Sequence, residues 1–105
     1  MAYSKQQINS KIRFIGNGDI YTTDTLDATT TEYILTIANP PEIISFQRTG
    51  DLQYTVDFSI TGKDYPASLQ KAVSDETITT VKDNLYKYVK VTRTSGSGKL
   101  IILAK

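Results

Sequence analysis

The sequence predicts an all-β domain folded as a single β-sandwich, Ig-like or jelly-roll, with about seven to eight short strands and at most one short helix. Three observations carry this. Thr, Ile, Tyr and Val recur in short runs. Residues that favour turns divide those runs about every eight to twelve positions. Within 53–61, Tyr54, Val56, Phe58 and Ile60 alternate with Thr55, Asp57, Ser59 and Thr61, the period of a strand with one buried and one wet face.

The elements follow in chain order. Strands are expected at 8–15, 20–23, 32–38, 42–48, 53–61, 77–81, 86–94 and 99–104. Asn17-Gly18-Asp19, Thr49-Gly50-Asp51 and Ser95-Gly96-Ser97-Gly98 supply turn residues between runs, and the last of these, lying between two strong β runs, is expected to close a hairpin. Asn39-Pro40-Pro41 removes two amide donors and so interrupts any ladder. Segment 65–76 fits a short helix begun after Pro66, with Leu69, Ala72 and Val73 on one side. The stretch 24–31 reads as a loop. A chain of 105 residues supports one core, so 1–105 is a single domain with residues 1–7 as an N-terminal arm.

Composition narrows the function. There is no histidine and no cysteine, which excludes Ser-His-Asp and Cys-His triads, disulfides and thiolate metal sites. A carboxylate pair for glycoside hydrolysis could come only from Asp24 with Asp27, or from Asp57 with a cross-strand neighbour. The spacing of Asp19, Asp24 and Asp27 lacks the pattern of a twelve-residue calcium loop. Gly96-Ser97-Gly98-Lys99 fails as a phosphate-binding loop, because Arg93 replaces the first glycine and Leu100 the hydroxyl residue. We therefore expect no enzyme and no cofactor.

Twelve Lys and Arg against eleven Asp and Glu leave a net charge of +1, too weak a field to draw the protein to nucleic acid or an anionic membrane. No run approaches the roughly 20 apolar residues that span a bilayer, and the N-terminus lacks the apolar run of a signal peptide. The expected partner is another protein or further copies of this chain in a homo-oligomer. In 86–94, strand alternation places Tyr86 and Tyr88 opposite Val89 and Val91, so one pair must lie outside the sandwich core. With the valines inside, Tyr86, Tyr88 and Lys90, together with Tyr3 of the arm, become the candidate partner-binding residues. The alternative is that the tyrosines pack under segment 65–76 of the same chain.

The run Tyr86-Lys87-Tyr88-Val89-Lys90-Val91-Thr92-Arg93-Thr94, the Ser/Gly turn after it and Lys99-Leu100-Ile101-Ile102-Leu103 resemble the closing hairpin of small β-sandwich proteins on tailed-phage virions. The stretch from Leu26-Asp27-Ala28-Thr29-Thr30-Thr31 through Tyr33-Ile34-Leu35-Thr36-Ile37 is similar to that group as well. The resemblance implies a capsid decoration (auxiliary) protein or head-fibre component. Such a protein is made in the host cytoplasm, is carried on the virion in many copies, and contacts the major capsid protein or another virion protein. The rival reading is a carbohydrate-binding or adhesion module, which needs exposed, coplanar tyrosines.

Overall fold

A computed structural model describes residues 10–74, 76–82, 84 and 86–105. The N-terminal arm with Tyr3 lies outside them. Among the described residues nine strands form in the order β1 (Ser10–Ile15), β2 (Ile20–Thr22), β3 (Glu32–Ile37), β4 (Ile43–Arg48), β5 (Gln53–Ser59), β6 (Lys71–Val73), β7 (Ile78–Lys82), β8 (Tyr88–Ser95) and β9 (Leu100–Ala104). They make a five-stranded sheet, β1-β3-β8-β5-β6, packed on a four-stranded sheet, β2-β9-β4-β7. The fold is the expected β-sandwich, with one more strand than expected.

The core follows from strand period and register. In the first sheet, Tyr33, Leu35, Val89, Val91, Val56 and Phe58 lie in facing rows, Leu35 opposite Val89 and Val89 opposite Phe58. In the second, Ile44, Phe46, Leu100, Ile102 and Ala104 do the same, Phe46 opposite Ile102. All are buried, and Leu26 and Leu52 from the connections join them. Phe46 meets Tyr54 across the sandwich with ring centroids 6.3 Å apart. Edge strand β1, paired in parallel with β3, sets the guanidinium of Arg13 6.0 Å from the Tyr33 ring centroid. A charge on the core-facing row of an edge strand discourages further strands from adding there.

Three expectations are corrected. The turn at 95–98 does not close a hairpin, because β8 belongs to one sheet and β9 to the other. It carries the chain across the sandwich, fixed by the Arg93 Nε bond to the Gly96 carbonyl (2.6 Å) and by the Ser97 amide bond to Asp51 (3.0 Å). Segment 65–76 holds only a 3₁₀ turn, Ala67–Leu69. It then extends as β6, because the edge of β5 offers unpaired amides and carbonyls that Lys71 to Val73 satisfy. Ile60, expected in the core with Tyr54, Val56 and Phe58, is 78 % exposed. Strand β5 ends at Ser59, whose Oγ accepts the amides of Thr61 and Gly62 and turns the chain away before residue 60 can face inward.

Between the sheets, Asn84 is buried and its side-chain amide donates to the carbonyls of Pro41 (3.0 Å) and Tyr86 (2.6 Å). It thereby replaces the ladder that Pro40 and Pro41 interrupt. The buried Tyr33 hydroxyl accepts the Asp24 amide at 2.7 Å. Burial holds the Tyr33 phenol up to about 12, against about 10 in an unfolded chain. Since the folded state keeps this proton more tightly, its contribution to stability is complete below pH 10 and is lost as pH rises from 10 through 12. Alkaline melting curves of the wild type are therefore expected to fall across this window, and those of Tyr33→Phe to fall less steeply.

Candidate contact surfaces

Register fixes which side chains face outward. On the first sheet, Ile34, Lys90 and Asp57 form one outer row and Thr36, Tyr88 and Ser59 the next. Segment 60–70 folds back over this face. The Lys90 ammonium sits 4.6 Å from the Tyr65 ring centroid, and Gln70 Nε2 donates to Asp57 Oδ1 at 2.9 Å. Tyr88 lies beside Gly62, where a Cβ would stand only 2.9 Å from its ring. Asp57 is thus buried although it points away from the sandwich core, because the fold-back makes a second, smaller layer outside the sheet. Burial raises the Tyr65 phenol above its ordinary value, with the Glu32 and Asp57 carboxylates adding to the effect.

This placement sorts the candidate partner-binding residues. Tyr88 and Lys90 face outward as expected, but each is half-covered by segment 60–70 of its own chain. Tyr86 does not share their face. It precedes β8 and turns its ring onto Phe58 in the core, centroids 5.9 Å apart. Strand alternation fails there because Tyr86 precedes β8, beyond the last β3–β8 hydrogen bond, which runs from the Ile37 amide to the Lys87 carbonyl (2.8 Å). Pairing Tyr86 with Tyr88 therefore assumed two more strand residues than form.

Beyond the fold-back, the same sheet leaves apolar groups in water. Ile12 and Phe14 on β1, in register with Ile34 and Thr36, are 69 % and 70 % exposed. The outer face of the second sheet is apolar as well. Ile20, Leu103, Ser45 and Thr80 form one row across it and Thr22, Ile101, Gln47 and Ile78 the next. Ile20 and Ile78 are 71 % and 60 % exposed, and between these two edges runs a shallow apolar groove of about 330 Å³ floored by Ser45, Ile101 and Leu103. Neither row carries a charge. The sequence signal for this face was present in Ile101-Ile102-Leu103, a run apolar on both sides of its strand. It reads as a strand buried on both faces, and only sheet order shows that one of them is open.

The carboxylates are engaged elsewhere. Asp27 Oδ1 accepts the amides of Thr29 (2.8 Å) and Thr30 (3.0 Å), and these bonds hold its carboxyl below the usual range. Asp51, bonded by the Ser97 amide, is lowered in the same way. Asp57 is opposite Lys90 in the ladder, not a second carboxylate. Among the described residues no three potential metal ligands gather.

The chain matches no protein-family model, and no curated protein matches it. Solved structures do. The pre-peptidase C-terminal domain of a Bacillus anthracis collagenase superposes with a TM-score of 0.64 at 13 % identity, covering 91 % of this chain and 96 % of that one. PliG from Aeromonas hydrophila, a periplasmic inhibitor of g-type lysozyme, superposes with a TM-score of 0.54 at 10 % identity, covering 91 % and 99 %. At such identities the likeness is one of fold, and this chain shares the β-sandwich architecture of these domains.

Proposed function

We propose that the chain is a non-enzymatic structural protein of a tailed-phage virion, an auxiliary protein that decorates the shell and reinforces it by touching neighbours on two sides. The observation that supports this most is the exposure of large apolar side chains on both outer faces of one small sandwich: Ile12 and Phe14 on one, Ile20 and Ile78 on the other. Exposed apolar patches on a soluble domain mark protein contacts, and a net charge of +1 leaves little electrostatic pull toward nucleic acid or lipid. The resemblance of the 26–37 and 86–103 segments to phage β-sandwich proteins supplies the setting. The carbohydrate-binding reading has less support, since every described tyrosine is buried or half-buried and none offers an open stacking platform.

The test is co-sedimentation of the purified chain with empty shells of the phage that encodes it. Saturable pelleting is expected, weakened at least about tenfold by Phe14→Asp, because a carboxylate placed in an apolar contact is desolvated without a partner. Absence of binding to shells, with retention on immobilised glycans, would replace this reading by the carbohydrate one.

A further inference from the structure

We infer that the outer face of the second sheet, β2-β9-β4-β7, is a homodimer interface in which two copies pack face to face about a two-fold axis running along the strands. The face is complementary to itself, and its pairing does not depend on shell binding. Any face-to-face dimer of this kind must match a surface to its own image, so that each residue meets its symmetry-related position across the axis.

With the axis along the strands, β2 of one copy lies over β7 of the other, and β9 over β4. Reading across the first row, Ile20 then meets Thr80 of its image and Leu103 meets Ser45. In the second row, Ile78 meets Thr22 and Ile101 meets Gln47. Three of the four pairings set a branched aliphatic side chain against a smaller Thr or Ser, and the fourth sets Ile101 against the uncharged amide of Gln47. This large-to-small alternation lets two layers interdigitate without clash or void, and it puts the projecting edge isoleucines beside the groove that Ser45 helps to floor.

Charge agrees with packing. The two rows contain no ionised group to be desolvated. The face also has a limited size. Four strands about 4.8 Å apart and about five residues long at ~3.3 Å each give roughly 300 Å² in projection. Even allowing for side-chain relief, this is below the ~800 Å² per partner of a standard interface. The dimer is therefore weak, reversible and populated at high protein concentration, as on a crowded surface.

Sedimentation velocity of the full chain from about 10 µM to about 1 mM tests this. The expected result is a monomer–dimer equilibrium within that range, weakened at least tenfold by Ile78→Asp and unaffected by Ile60→Asp, an even more exposed isoleucine away from the face. Since the chain has no cysteine, the double variant Ile20→Cys with Thr80→Cys reports the pairing directly. Those positions stand on opposite edges of one sheet, three strand spacings apart, beyond the reach of an intrachain disulfide. Stacked sheets lie about 10 Å apart, too far for a direct disulfide across the face, so a bis-maleimide of about that span is expected to give a covalent dimer. A chain monomeric at about 1 mM, or a dimer insensitive to Ile78→Asp and not cross-linked by the double variant, overturns the inference. Loss of shell binding by Phe14→Asp with dimerisation intact would show that the two surfaces act separately.

Discussion

Truncating Phe46 to alanine is expected to lower the melting temperature by roughly 15–25 °C. Phe46 is fully buried at the centre of the four-stranded sheet, opposite Ile102, and its ring reaches across the sandwich to Tyr54. Removing it forfeits the transfer free energy of the ring and leaves a void lined from both sheets, which cannot collapse while each is held by its own ladder. Such losses cost about 3–5 kcal/mol, a large part of the roughly 5–15 kcal/mol that stabilises an ordinary domain. Phe58→Ala is expected to cost less, because Phe58 sits at the rim and the half-buried Tyr86 ring beside it can move into part of the space. Equal melting temperatures for the two variants would contradict this ordering, and a wild-type value for Phe46→Ala would remove Phe46 from the centre of the core.

Gly96→Ala is expected to be nearly as damaging, for a backbone reason. Gly96 adopts φ = +68°, and a Cβ there would collide with the carbonyl of Asp51, a backbone atom that cannot swing aside. Left-handed backbone costs a non-glycine residue roughly 1–2 kcal/mol, and forced displacement of packed structure adds about 1–3 kcal/mol. Gly18→Ala separates the two contributions. Gly18 has φ = +87° but open space around it, so only the conformational cost of about 1 kcal/mol is expected. Urea midpoints of the two variants measure the difference; identical shifts would mean that the 49–51 and 95–98 turns do not pack as described.

What the sequence disclosed was what depends on near neighbours. The alternation of 53–58 identified β5 and its buried face, because a one-residue slip would have put Thr55 and Asp57 in the core. The turns were placed correctly as turns. Their destinations were not legible: a glycine turn between two β runs looks the same whether the second strand pairs with the first or crosses to the opposite sheet. At 95–98 that choice rests on contacts with Asp51, more than forty positions away. Asp57 was read as wet since nothing in its own strand covers it, and its burial comes from Gln70 of the fold-back. Strand β6, three residues long with one buried, was too short to show a period. Of the candidate site, Tyr88 and Lys90 were placed on the correct face by alternation. The apolar second-sheet surface was missed because its residues are scattered over four strands that only the topology brings together.

The order in which the strands leave the ribosome matters for this topology. In each sheet, one of the last strands made takes an inner position: β8 lies between β3 and β5, and β9 between β2 and β4. While residues 10–82 emerge, β2 has no neighbour and β3 lacks the partner that joins it to β5, so the nascent chain carries unpaired strands whose natural mates do not yet exist. Closing such long loops is slow. The exposed ladders must meanwhile be kept from pairing with those of other chains, which makes the interval before β9 appears, rather than the finished sandwich, the stage at which aggregation competes with folding.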